Sequence, residues 1–205
     1  QHAHYLAETL IKRVSKRRPK FWKPRPAKGK LLWHSDMEHV DMSQGEWLVL
    51  ARNNYLLNSV ENQCRLEGFF YSRSNRKGVN DSLLEAILDW EKLRKGESVS
   101  AVQIRKIYRY MTSDKGVARS FKTLKSTFDE ERLSLQDLLA SYGLLTTAIW
   151  HEAFDKISDK EKQYLIACLR RGEKLTKTPR IHISTIHGAK GSQADNVVVL
   201  TDIGK

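Results

Sequence analysis

Residues 45–72 read GEWLVLARNNYLLNSVENQCRLEGFFYS. "EWLVLA" (46–51) is an apolar run of strand length, and "RNN" (52–54) breaks it with polar residues that favour turns and helix starts. From Tyr55 to Glu67, Leu57, Val60 and Cys64 fall on one side of a helical wheel, so an amphipathic helix is expected there. Gly68 stands where a helix C-cap belongs, and "FFYS" resumes as a strand. Strand, polar loop, helix and strand make a βαβ crossover. That unit requires a parallel sheet, and binding sites of such sheets collect at the carboxyl ends of the strands.

The same pattern recurs at 180–202, RIHISTIHGAKGSQADNVVVLTD. "RIHIST" alternates and "NVVVLT" is continuously apolar. The second is therefore expected to be the central strand and the first to flank it. Between them lie Thr185, His187, Gly188, Lys190 and Gly191. Glycine lets a backbone approach a ligand closely, while a hydroxyl, an imidazole and an ammonium supply donors and charge. This mixture suits phosphate oxygens better than base edges, because it offers no planar bidentate fork. A tight turn with a solvated lysine would use the same residues. Arg52 and Asn54 occupy the equivalent place after their own strand. They share a ligand with the His187 loop if the two strands are neighbours, and Asn53 or Asn54 could equally cap the helix.

From 76 to 172 the signals are helical. Leu83, Leu84, Ile87, Leu88 and Trp90 form one periodic set. Capping patterns occur at "SAVQ" (100–103), "SLQD" (134–137) and "SDKE" (158–161). At least four helices and no strand are expected before sheet-forming sequence returns at Ile181. An α/β domain interrupted by a helical insertion is the simplest architecture.

The 205 residues carry 36 Lys and Arg against 24 Asp and Glu, a net charge of +12, which is the footprint of a polyanionic partner. Residues 12–30, KRVSKRRPKFWKPRPAKGK, hold ten cations and no acid. Pro19, Pro24 and Pro26 prevent a continuous helix, and Phe21 and Trp22 offer stacking faces. The segment reads as a phosphate-tracking arm or as a solvated linker. Before it, Tyr5, Leu6, Leu10 and Val14 suggest a helix ended by Pro19; after it, "KLLWHS" (30–35) suggests a short strand.

Other chemistry finds little support. Cys64 and Cys168 form no CxxC pair, so both are expected as buried thiols in a reducing compartment. "HEAFD" (151–155) lacks the second histidine of a zinc-protease helix. "HSDMEH" (34–39) sets its histidines five apart on an expected strand edge, pointing them apart. Trp90 and Trp150 belong to apolar helix faces. No apolar run reaches the roughly 18 residues of a membrane span, and no signal peptide is visible, so a soluble, cytoplasmic protein is expected.

Three stretches together carry a resemblance. "TIHGAKG" before an apolar strand resembles motif V of the UvrD/Rep family of superfamily 1 DNA helicases. "GEWLVLARNNYLLNSVENQCRLEGFFY" resembles the unit of that family's second motor domain in which a strand ends in an Arg-x-Asn loop. "HYLAETLIKRVSKR" resembles the helix after the family's asparagine-tyrosine-arginine motif. The resemblance covers about residues 1–75 and 176–205, and residues 76–175 fall where the family inserts a mobile subdomain.

It implies an α/β, RecA-like parallel sheet interrupted by an all-helical insertion, with motor-domain parts at 1–75 and 176–205. It implies an ATP-dependent helicase that translocates on single-stranded DNA. Arg52, Asn54, Thr185, His187 and Lys190 would hold the nucleic acid, and Gly191 and Gln193 would approach the nucleotide. ATP and Mg²⁺ would be bound mainly by an N-terminal motor domain of the same protein. No G-x-x-x-x-G-K-[ST] loop occurs in the sequence, since "GEKLTK" and "GAKGSQ" both fail that pattern. No acidic pair follows a strand in the manner of a helicase Walker B motif, and no arginine motif follows "LTDIGK". The chain is therefore expected to be the C-terminal part of a longer motor, inactive as an ATPase alone. The family's Gly-Leu-Glu-Phe after the motif V lysine is replaced by Gly191-Ser192-Gln193-Ala194, and Gln193 can accept from a ribose hydroxyl through its amide oxygen. The alternatives are a non-catalytic nucleic-acid-binding module on a helicase-like fold, and the helicase part of a helicase–nuclease complex.

Overall fold

The structure is a computed structural model that describes residues 2–16, 18, 29–74, 76–123 and 132–201. It divides into two compact units, Gln1–Asp41 and Met42–Lys205.

In the first unit, helix α1 spans His2–Ile11 and a 3-10 turn spans Met37–His39. None of its residues whose burial is described is buried. The helix stops at Ile11, well before Pro19, and turns carry the chain on to Val14. The strand expected at 30–35 does not form. Leu31, Leu32 and Trp33 are exposed and meet no partner strand. "HSDMEH" forms a bend and a 3-10 turn instead of a strand edge. Most of the basic proline arm, with Phe21 and Trp22, lies outside the described residues.

The second unit begins with β1 (Trp47–Ala51), α2 (Leu57–Glu67), β2 (Tyr71–Arg73) and β3 (Arg76–Lys77). It continues through α3 (Asp81–Arg94), β4 (Val99–Ser100), α4 (Ala101–Arg109), β5 (Arg132–Leu133) and α5 (Leu135–Ser141). It ends with α6 (Trp150–Ala153), α7 (Asp159–Arg170), β6 (Ile181–Thr185) and β7 (Asn196–Val199).

Five strands make one sheet in the order β3-β2-β6-β1-β7. β1 runs parallel to β6 and β7, β2 runs parallel to β6, and only β3 is antiparallel. The fold is therefore α/β around a mixed, mostly parallel sheet, compatible with a Rossmann- or RecA-like arrangement. The βαβ unit read from 45–72 is present, with β6 inserted between its two strands.

The expected order of the last two strands is reversed. β6 is interior, and β7 pairs only with β1, leaving Val197 and Val199 about half exposed. The alternation of β6 reports two different faces. Ile181 and Ile183 are buried on the side of α2, whereas His182 and Ser184 face the other way. An interior strand tolerates His182 because the Ser72 hydroxyl on the adjacent strand lies 2.7 Å from its Nδ1. Strand length and apolarity alone do not order neighbours.

Residues 76–175 hold α3 to α7 and belong to the same compact unit as the sheet. The expectation of no strand in this stretch fails for three two-residue strands: β3 extends the sheet edge, and β4 pairs with β5. Such short segments carry too few residues to show a period. The caps are as read. Ser100 with Gln103 and Ser134 with Asp137 form capping boxes, and the Ser158 hydroxyl accepts from the Glu161 amide. Trp90, Ile104, Ile107, Tyr108, Met111 and Phe154 are fully buried between these helices, and Trp150 lies within the same apolar core region at 3% exposure. Both cysteines are buried thiols; burial pushes each up to about 12, with neighbouring carboxylates adding to that at Cys64.

Helix α7 is fastened to the sheet unit by a partly buried polar network. Arg65 Nη1 donates to Glu161 at 3.0 Å and Nε to the Tyr71 hydroxyl at 3.0 Å. That hydroxyl donates to Glu61 at 2.6 Å, and Arg73 donates to the other Glu61 oxygen at 2.6 Å. Tyr164 donates to the Phe69 carbonyl at 2.9 Å. Burial alone would raise the Glu61 pKa. The hydrogen bonds from Tyr71 and Arg73 and the charges of Arg73 and Arg65 outweigh it, so the carboxyl is held below its usual value of 4.5. A carboxyl with a lowered folded-state pKa contributes stability above its unfolded pKa and loses it as pH falls through the folded value. Urea midpoints should therefore drop on acidification below about pH 4.5, and Glu61→Gln should blunt that drop. Parallel acid profiles for the two proteins would contradict the role given to this network.

Candidate nucleic-acid interface

β1 and β6 are paired in parallel register from Trp47↔Ile181 to Ala51↔Thr185. Both therefore end at one edge of the sheet. The amide of Ile186 donates to the Ala51 carbonyl at 2.9 Å, tying the two loops at their first residues. The condition for a shared ligand, neighbouring strands, is met.

Arg52 follows β1 directly and is exposed. Asn54 opens the 3-10 turn Asn54–Leu56, and its carbonyl accepts from Arg73 Nη2 at 2.8 Å. The capping role weighed for Asn53 is not filled, because its side chain makes no cap hydrogen bond. Thr185 is the last residue of β6, and its hydroxyl accepts from the Gly188 amide at 3.0 Å. That leaves the Thr185 O–H proton as a donor. His187, Lys190 and Gln193 are exposed along the following turn. None of Arg52, His187 and Lys190 has an ion-pair partner among the described residues.

The glycines of this turn have reasons internal to it. A Cβ on Gly188 would come within 2.9 Å of the Ser184 hydroxyl and 3.1 Å of the Thr185 hydroxyl. Gly191 has φ +86°, which L side chains rarely adopt, and nothing lies within 4 Å of the place a Cβ would take. The first glycine closes the turn on its own hydroxyls, and the second leaves an open main-chain surface. Glycine content alone therefore does not argue for a ligand; the exposed, unpaired cations and donors beside it do.

One contributor to this edge was not read from the sequence. β2 also ends here, and its hairpin with β3 carries Arg73, Arg76 and Lys77. The visible signal was "YSRSNRKG" (71–78), cations on both sides of a Ser-Asn pair suited to a tight turn.

Among the described residues, no cluster of three or more His, Cys, Asp or Glu could hold a metal ion, and no helix is long and apolar enough to cross a membrane. No family model, curated protein or solved structure matches the chain. Chemically, the edge offers fixed charge at Arg52 and Lys190, donors at Thr185 and His187, and open main chain at Gly191. Such a set can hold phosphate oxygens.

Proposed function

We propose that the chain is the second RecA-like motor unit of an ATP-dependent helicase of the UvrD/Rep kind, which tracks along single-stranded DNA. The observation that carries this reading is the parallel pairing of β1 with β6. It brings Arg52 and the Thr185–Lys190 turn, separated by more than a hundred residues, to one edge with their cations unpaired. The net charge of +12 supports a polyanionic ligand. Arg52 and Lys190 would neutralise phosphates, Thr185 and His187 would donate to their oxygens, and Asn54 would hold the loop after β1. Residues 76–175 would correspond to the family's helical insertion.

ATP and Mg²⁺ would be held mainly by an accompanying motor domain. Gly191 and Gln193 are exposed, so an open backbone and an amide oxygen could meet a nucleotide from this side. Hydrolysis by the accompanying domain would supply the cleft closure that moves this unit along the strand. A second reading, a binding module without catalysis, rests on the same edge, whose cations and donors need no nucleotide to hold a strand.

The purified chain is expected to bind two unrelated single-stranded oligonucleotides with equal affinity and a clear salt dependence, and to hydrolyse no ATP with or without them. Equal, salt-dependent binding supports the motor and module readings alike. Binding of one sequence only, or an intrinsic ATPase that copurifies through a second column, would contradict both. Restored DNA-stimulated hydrolysis on adding a phosphate-loop motor domain separates the motor from the module.

A further inference from the structure

We infer that the β2–β3 hairpin is a third part of the same phosphodiester track, with Arg76 as its contact residue; this rests on the single-strand-binding reading above. β2 runs parallel to β6 in the register Tyr71↔Ile181 to Arg73↔Ile183, so its carboxyl end lies on the same edge as the Thr185 turn. The Ser74 amide donates to the Ile183 carbonyl at 3.1 Å, fixing the start of the hairpin turn against β6. Along the edge the order is therefore hairpin, Thr185–Gly191 turn, Arg52 loop. With strands about 4.8 Å apart, Arg76 on β3 stands three strand spacings, roughly 14 Å, from β1 and the Arg52 loop. That is the length of about four stacked nucleotides at ~3.4 Å each.

The three hairpin cations are not equivalent. Arg73 is occupied: it donates to Glu61, to the Asn58 side chain and to the Asn54 carbonyl. Lys77 pairs with Asp81 at 2.6 Å. Arg76 is exposed and has no ion-pair partner among the described residues. Yet Arg76 sits directly opposite Arg73 in the strand pair, where like charges repel. Glu61 compensates Arg73, and nothing described compensates Arg76. Ser74, with φ 47°, brings the chain around so that this pairing occurs. Arg76 lines an open cleft of about 500 Å³ together with Glu61, Tyr71, Arg73, Ser74, Lys77 and Gly78, where the one carboxylate, Glu61, is already taken by Tyr71 and Arg73. A guanidinium held there offers a fork of donors matched to a phosphate.

The test titrates the unmodified chain, Arg76→Ala, Arg76→Lys and Arg52→Ala against oligothymidylate and oligodeoxycytidylate at several salt concentrations. Arg76→Ala should weaken binding by about 10-fold at low salt and flatten the slope of log K against log[salt] by about 0.7, the increment for one single-strand phosphate. Arg76→Lys should keep the slope, and its urea midpoint should match that of the unmodified chain. An equal loss on both homopolymers assigns the contact to the phosphate, and a loss on one alone overturns that assignment. If Arg52→Ala loses affinity while Arg76→Ala does not, the hairpin is no part of the track and the binding reading stands. If neither substitution has an effect, both fall.

Discussion

Trp90→Ala should lose about 3–5 kcal/mol of stability, the range for deleting a buried large aromatic side chain. Trp90 is fully buried on α3, its ring lies 6.0 Å from that of Phe154, and its indole N–H donates to the Ala148 carbonyl at 3.0 Å. It thus joins α3 to the segment leading into α6 by packing and by a hydrogen bond at once. Trp90→Phe separates the two contributions. It keeps most of the apolar volume and removes the donor, leaving the Ala148 carbonyl short of a partner at a cost of about 1–3 kcal/mol. Urea unfolding of the two variants measures both figures. A loss below about 1 kcal/mol for Trp90→Ala would mean that α3 is not anchored through this residue.

Gly68→Ala should be nearly as damaging, for a different reason. Gly68 ends α2 with φ +71°, and a Cβ there would stand 2.5 Å from the Ala167 carbonyl carbon and 2.7 Å from its oxygen. The left-handed conformation costs a residue with a Cβ roughly 1–2 kcal/mol. Forcing the α7 backbone away costs roughly another 1–3 kcal/mol. Gly172 has φ +84° with nothing within 4 Å of a Cβ, so Gly172→Ala should show the conformational cost alone. The difference between the two midpoints isolates the contact between α2 and α7. Equal losses would show that α7 can retreat without penalty.

These two residues also mark how far the sequence could be read. Trp90 was legible as core because Leu83, Leu84, Ile87 and Trp90 repeat at helical spacing. Gly68 was legible as a C-cap because the apolar period stops there, but its contact with Ala167 was not. Packing between elements a hundred residues apart leaves no local pattern. Local chemistry was read well where it has a fixed spacing, as in the capping boxes at Ser100 and Ser134. Sheet order was misread where it depends on cross-strand pairing. The alternating strand 180–185 was expected to flank the sheet's central strand, but it is interior, with His182 beside the Ser72 hydroxyl 110 positions away. The expected strand at 30–35 failed because an apolar run becomes a strand only when another strand is there to meet it. At the candidate site, Arg52 and the His187 turn were found from residue type and their place after a strand. The hairpin with Arg76 was missed because two-residue strands show no period.

The central claim is that the loops after β1 and β6 together hold one phosphodiester backbone. Its most direct test is the salt dependence of single-strand binding by Arg52→Ala, measured on two oligonucleotides of unrelated sequence, with His187→Ala alongside. Each substitution should weaken binding by on the order of 1–2 kcal/mol, the scale of a charge-assisted hydrogen bond. Arg52→Ala should also flatten the slope of log K against log[salt] by about 0.7, because one phosphate is no longer neutralised. Both losses should be the same on both sequences, since contacts to the backbone carry no base information. An unchanged slope for Arg52→Ala, or a loss confined to one sequence, would show that these loops serve the fold and that the nucleic acid lies elsewhere.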